Sequence, residues 1–447
     1  MPELLDIATR IVADARSGEE IEAYVGWGRE TEIRVFEAGI ESLSSAESSG
    51  AGIRVIAGGR QGFAYVGDLD ESHIREALSE ARDNATFSSV DPHAGLARPD
   101  GVAPVELELW SDELATFPTQ RKIDLAIDLE RAVRSGDARI RQVVSSDYGD
   151  SESETAIATS TGIATVGRST TIFIAADAVA GEGEDTQTGA GYSVGRGPSD
   201  LDPGKAAADA IERATRLLGA TKPKSDRVTV VLDRRITATL LGILSGTLSG
   251  EEVVKGRSLF AGRLDEEVAV PGFTLVDDPT NPLAFGAAQY DGEGLASRRN
   301  VLISSGRLAM FLYDSYSARL AGTASTGSAV RGGFKSGPGV GARALFLDPG
   351  DCSQQELISM VGNGLFVQEI SGVHSGVNRV SGDFSVGAEG LMIRDGALAE
   401  PVREITIAST IQRMLQHIVG VGSDVEWLPS SAAGVSLAIA EIAMSGV

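Results

Sequence analysis

Twice before residue 220 the sequence runs through the same succession: an amphipathic helix, several strands and a second amphipathic helix. In the first pass Leu4, Leu5, Ile7, Ala8, Ile11, Val12 and Ala15 recur three or four apart, a helical face that ends at Gly18. Alternation takes over with Ile21, Ala23, Val25 and Trp27, then Ile33 with Val35, then Ile53 with Val55, and Gly58-Gly59 is a hairpin signal before Phe63 and Tyr65. Ile74, Ala77, Leu78 and Ala81 close the pass as a helix. A Pro-, Gly-, Ala- and Asp-containing stretch over 91–105 reads as a linker, and the pattern starts again. Ile123 to Val133 is a helix, 140–144, 155–160 and 170–180 are strands, and 203–218 is a helix with Pro203 in its first turn. This change of period defines an α+β fold and an N-terminal domain over 1–220 with similar halves at 1–90 and 105–220.

Residues 219–225 form a polar, Pro-containing linker, so the second domain is placed at 226–447. It opens with an apolar strand, Val228 to Leu232, followed by a helical pattern from Thr237 to Gly250 in which Leu240, Leu241, Ile243, Leu244 and Leu248 share spacing. Asp233 stands where an N-cap carboxylate belongs. Glu267 to Val276 reads as a strand, Asn300–Ile303 and Leu308–Tyr313 as a pair across Ser305-Gly306, and 391–398 as a hairpin around Asp395-Gly396. Gln355–Val361 and Ile411–Ile418 read as helices, and Gly322–Gly341 as a Gly- and Ser-rich loop over a surface or cavity. Strands dominate this half, and 54 glycines in 447 residues, against an average near 7%, imply many turns and bulges. The expectation is a large twisted, partly closed sheet.

A net charge of −24 excludes a basic nucleic-acid face and disfavours anionic membrane surfaces. The single Cys352 excludes an intrachain disulfide framework, and the N-terminus, Met-Pro-Glu-Leu-Leu-Asp, lacks the pattern of a signal peptide. A cytoplasmic protein is expected.

The chemical motifs are individually weak. Gly191-Tyr-Ser193-Val-Gly195 matches a nucleophile elbow in letters, but its flanks read as loops, where the chemistry needs a strand before and a helix after. His73, His93, His374 and His417 have no zinc spacing, and Cys352 has no His near it. Gly332-Gly-Phe-Lys335-Ser336 lacks the spacing of a phosphate loop. The acids at 182–185 and Asp277-Asp278 lack calcium-loop spacing and read as solvated turns. The helix from Thr237 to Gly250 contains no His, Cys, Asp, Glu or Lys.

Taken together, Asp291-Gly-Glu293-Gly294, Arg298 to Gly306, Leu312-Tyr-Asp-Ser315-Tyr316-Ser317-Ala318-Arg319, Ser325-Thr-Gly327, Ser381-Gly-Asp383-Phe-Ser385, Pro401 to Ala408 and Val421-Gly-Ser-Asp424 resemble the TldD/PmbA family over essentially the whole chain. The resemblance implies a cytosolic metallopeptidase system acting on unfolded or extended polypeptides, whose members are also described as modulators of DNA gyrase. In the TldD branch a helical H-E-x-x-x-H and a C-terminal Cys hold zinc, with the Glu as general base. Aligned back from Ser258-Leu-Phe-Ala-Gly262, those positions are Leu241, Gly242 and Gly246, and the Cys falls near Ala433.

The chain therefore resembles the TldE (PmbA) branch. That implies no catalytic residue and no cofactor of its own, zinc in a TldD-like partner subunit, and a polypeptide substrate in a chamber the two complete. The C-terminal domain would form the subunit interface and one cavity wall. Ser315, Tyr316, Arg319 and Asp383 are the candidate cavity or peptide-binding residues, with structural hydrogen bonding as their alternative role. The competing functions are a homodimer that binds peptides without cutting them, and an independent hydrolase using a Ser with His374 or a metal held by carboxylates.

Overall fold

The computed structural model describes residues 3–447; Met1 and Pro2, the start of the segment read against a leader peptide, lie outside the described residues. The two N-terminal passes meet in one six-stranded sheet, ordered β3-β2-β1-β4-β5-β6. Its strands are Glu19–Phe36 (β1), Gly39–Ala57 (β2), Arg60–Val66 (β3), Ile140–Thr159 (β4), Ala164–Ala180 (β5) and Gln187–Gly195 (β6). The halves join where β1 runs antiparallel to β4, from Glu22 opposite Thr159 to Val35 opposite Ser146.

The sequence pattern divides β1 and β4 into shorter pieces, yet each is one continuous strand of 18 and 20 residues. Their polar middles stay in the ladder because the charges pair across it. Arg29 meets Glu152 at 2.5 Å and Arg34 meets Asp147 at 2.7 Å. Asp150 takes the Lys122 ammonium at 2.5 Å and the Tyr148 hydroxyl at 2.6 Å. The buried carboxylates of Asp150 and Glu152, each matched by a cation, are tolerated in the ladder without alternation.

One face of the sheet carries the helices Leu4–Ala13, Glu71–Phe87, Thr119–Gly136 and Pro203–Arg216, packed on Ile21, Ala23, Val25, Ile33 and Val35 of β1 and their neighbours. The opposite face meets the C-terminal domain. There the Arg331 guanidinium pairs with Glu22 and lies 4.9 Å from the Tyr24 ring centre. Phe334 seats on Gly26, Gly50 and Gly52; a Cβ on Gly52 would stand 2.2 Å from the Phe334 carbonyl oxygen. The Gly322–Gly341 segment is thus strapped onto the N-terminal sheet.

In the C-terminal domain Asp226–Leu232 lies parallel to Gly364–Ser371 and antiparallel to Leu437–Ser445. Gly364–Ser371 continues to Asp383–Arg394, and that strand to Ala397–Thr410. Thr406 to Ala408 then pair back onto Ser445 to Ala443, closing a five-stranded barrel. The expected twisted, partly closed sheet is therefore present and fully closed.

Helix Arg234–Thr247 leaves the first barrel strand and plugs the barrel. Its Ile236, Leu240 and Ile243 face Leu232, Phe384, Ile407 and Met414 around a residual void of about 10 Å³, room for at most one water.

Three expectations in this half need correction. Glu267 to Val276 is not one strand: apart from an isolated bridge between Glu267 and Arg307, only Leu275–Asp277 pairs, because Pro271-Gly272 interrupts the run and the Val268 and Ala269 N–H groups both turn to the Gly306 carbonyl. Pairing across Ser305-Gly306 reaches only Arg307 and Leu308. The helix from Ile411 ends at Gln416, with His417 as its C-cap. Among the described residues no helix is long and apolar enough to cross a membrane.

Candidate functional site

The barrel-plugging helix is anchored at its first turn. Asp233 accepts the Arg235 N–H at 3.0 Å as N-cap and receives Arg213 Nη2 at 2.8 Å from the last helix of the N-terminal domain. Arg235 donates to the Ala190 carbonyl at 2.8 Å and stacks 4.3 Å over Tyr192. Both domains therefore fix the orientation of this helix.

The positions that the sequence resemblance sets against a zinc motif, Leu241, Gly242 and Gly246, lie beyond that anchor. Leu241 is fully buried in the C-terminal core. Gly242 is bare, and a Cβ there would meet nothing within 4 Å. Gly246 lies under Arg379, whose Nη1 is 3.0 Å from where its Cβ would be. Ala433 sits elsewhere. Its neighbour Gly434 packs on the backbone of Arg234, with a Cβ there 2.4 Å from the carbonyl oxygen. At 1.5 Å per residue that is roughly 18 Å along the axis from Gly246. An alkyl side chain in the core, two bare α-carbons, a distant methyl group and a guanidinium overhead do not fit a zinc ion.

Beside the helix opens a cleft of about 900 Å³, lined by Ile243, Val373, His374, Val377, Asn378, Arg379 and Asp383. Its far wall is a self-closed turn. The Asn378 side-chain oxygen accepts the Val380 and Ser381 N–H groups at 2.9 and 3.1 Å, and Asp383 accepts the Ser381 hydroxyl at 2.6 Å. Arg379 projects from this turn, exposed and without a hydrogen-bond or ion-pair partner among the described residues. Sequence reasoning passed over Arg379. Its only cue is a basic residue in the loop ahead of Asp383, and no spacing ties that loop to a helix so far upstream.

The four residues singled out from sequence do not form one site. Ser315 opens the short helix Ser315–Ala321, and its N–H donates to Glu293 Oε2 at 2.8 Å. Tyr316 donates its hydroxyl to Asp91 at 2.8 Å, and Arg319 donates to the carbonyls of His93 and Gly95 at 2.7 and 2.6 Å. These three tie the helix to the 91–95 segment and to a buried charge cluster, whereas Asp383 stands apart in the cleft.

In that cluster Arg54 joins Glu22 at 2.7 Å and Glu293 at 3.5 Å across the domain boundary. Burial acts to raise Glu22, but Arg331 and Arg54 hold it below the usual carboxylate range. Glu293 is raised by burial, with Asp314 and Glu22 adding to it against the pull of Arg54. Asp291, buried beside Glu293, is pushed up to about 7 although it accepts the N–H groups of Glu293, Leu295 and Ala329.

The remaining motifs take structural places. Gln187–Gly195 is an edge strand, which corrects the loop expected before Ser193. Its glycines admit helix Pro203–Arg216, since a Cβ on Gly191 would lie 1.9 Å from the Ala206 carbonyl, and the Ser193 hydroxyl accepts the Asp202 N–H at 2.8 Å. His374 lies on the single turn Val373–Gly376, in the connection between the strands Gly364–Ser371 and Asp383–Arg394. His73 pairs with Asp68 at 2.9 Å on the surface. Asp277 caps the Arg343 and Ala344 N–H groups. In the 182–185 acids, Glu182 pairs with Arg141 and Asp185 accepts the Gly219 N–H, while the side chain of Glu184 lies outside the described residues.

Comparison with known proteins agrees with this architecture. Models of the PmbA/TldA metallopeptidase family match in three parts: domain 1 over 21–85, the central domain over 112–218 and the C-terminal domain over 225–446. Metalloprotease PmbA of Escherichia coli O157:H7 is 28% identical over 427 residues, 95% of this chain and 92% of the relative. A crystal structure from Thermotoga maritima MSB8, named for a proposed role as modulator of a DNA gyrase, superposes with a TM-score of 0.90 at 25% identity, covering 98% of this chain and 99% of that one. TldE from Thermococcus kodakarensis gives 0.89 at 24% identity, covering 99% of each, a likeness of fold.

Proposed function

The chain belongs to the PmbA/TldD metallopeptidase family, and on that premise we propose that it is the non-catalytic, TldE-like subunit of a cytosolic peptidase whose zinc is carried by a TldD-like partner. Its task is to complete the chamber in which unfolded or extended polypeptides are cut. The observation that supports this reading is the helix Arg234–Thr247. Both domains position it, and its aligned positions Leu241, Gly242 and Gly246 offer neither a metal ligand nor a proton carrier. The fixed orientation of that helix serves packing and the shape of the adjoining cleft.

The experiment is to purify the chain alone and together with a zinc-bearing relative, measure metal content on both, and assay cleavage of an unfolded polypeptide. The chain alone is expected to be metal-poor and inactive, and the pair to be active and co-eluting. Peptidase activity or stoichiometric zinc in the isolated chain overturns the proposal. A stable homodimer that ignores the zinc-bearing relative replaces it with peptide sequestration.

A further inference from the structure

We propose that the cleft between helix Arg234–Thr247 and the 373–383 turn holds the C-terminal carboxylate of a peptide, with Arg379 as its anchor. The inference takes its ligand class from the peptide-handling function proposed above; the anion site itself stands on geometry.

Arg379 is a cation held over a bare stretch of helix. Gly246 is what lets the guanidinium come so close, for any side chain there would begin 3.0 Å from Nη1. The turn that presents Arg379 is fixed from within by Asn378 and by the Ser381–Asp383 bond, so the guanidinium is displayed while its donors stay free. A guanidinium with free donors matches a carboxylate in a two-pronged geometry.

The rest of the cleft narrows the ligand to a peptide end. Its volume of about 900 Å³ is far more than a small ion fills. Ile243, Val373 and Val377 give it an apolar wall suited to side chains. Asp383 places a negative group in the same cleft as Arg379, so the site is bipolar and disfavours polyanions. The net charge of −24 repels long acidic polymers for the same reason, whereas a single carboxylate aimed at Arg379 meets a local attraction.

The test uses the isolated full-length chain with N-acetyl-tetraalanine as free acid, the same peptide as C-terminal amide, and sodium acetate. The free acid is expected to bind at least fivefold more tightly than the amide, with the difference shrinking as salt is raised. In Arg379→Gln the difference disappears while the melting temperature holds, because Arg379 is exposed and unpaired. Arg379→Lys, which keeps the charge but loses the fork, falls between. Equal binding of acid and amide overturns the inference, as does a difference that survives Arg379→Gln. Acetate competing on equal terms with the peptide acid overturns it too, by reducing the cleft to a simple anion site. None of these readouts uses the partner subunit, so failure of the assembled peptidase and failure of the carboxylate site are separately visible.

Discussion

Restoring the aligned zinc motif by Leu241→His, Gly242→Glu and Gly246→His puts the reading of the barrel-plugging helix to its hardest test. Leu241 has no exposed surface, so removing its side chain costs about 2–5 kcal/mol, and desolvating an imidazole in its place adds about 1–3 kcal/mol. Gly242 faces open space, and a residue with better helix propensity there returns up to about 1 kcal/mol. The net loss is a few kcal/mol out of a typical total of about 5–15 kcal/mol. For a domain of this size the melting temperature then falls by roughly 5–15 °C.

Zinc does not offset that loss. A protein site needs three ligands within about 2.0–2.3 Å of the ion, and the third aligned position, Ala433, adjoins Gly434, which packs on Arg234 at the opposite end of the helix from Gly246. Arg379 adds a like charge; at about 5 Å and an effective dielectric constant near 20 it opposes a divalent ion by roughly 6 kcal/mol until the side chain swings away. The triple variant, dialysed and measured for metal by mass spectrometry, is expected to hold well under one zinc per chain, and adding Arg379→Gln does not rescue it. Stoichiometric zinc retained by the triple variant would refute the reasoning, because it would mean that the missing donors were the only obstacle.

Four further outcomes follow from the structure. Asp291 has a folded-state pKa near 7, above its unfolded value, so the stability it contributes is full below about pH 4 and is lost as pH rises through 7. Urea midpoints should therefore decline between pH 5 and 8, and Asp291→Asn should flatten that decline; equal slopes in both proteins would sink the assignment. Gly52→Ala drives a Cβ into the Phe334 carbonyl, costing about 1–3 kcal/mol, and limited proteolysis should then cut first between 331 and 341. Arg213→Ala leaves Asp233 buried without its ion-pair partner and should lower stability by about 3 kcal/mol, measured by chemical denaturation. Gly242→Ala should raise stability by about 1 kcal/mol; a loss would show that this face of the helix is covered in solution.

The helices were legible in the sequence because each buries one stripe. Asp233 was legible as a cap because capping is local. The long strands were legible only at their ends: in β1 and β4 the middle residues are Arg, Glu, Ser and Asp, whose partners lie on strands more than 100 residues away. Periodicity carries no trace of such pairing. Pro271-Gly272 was visible, but an apolar run on either side of it read as one strand. At the candidate site the apolar and glycine character of Leu241, Gly242 and Gly246 was readable from the helix sequence. Arg379, Asn378 and the apolar wall of the cleft were not, since a loop residue declares its neighbour only in three dimensions.

The helix has two sides with different physical demands. On the barrel side Ile236 and Leu240, with Ile243 at the border between void and cleft, are set by the need to fill a closed sheet to within about 10 Å³, and any change of volume there is felt. On the other side packing explains only part of what is present. Gly246 is accounted for by the approach of Arg379, but Gly242 touches nothing and costs about 1 kcal/mol relative to Ala. A mid-helix glycine that stability does not require, next to one that seats an unpaired cation, is a combination that serves a surface and not a core. The barrel therefore accounts for the apolar face of the helix, and the approach of Arg379 accounts for Gly246.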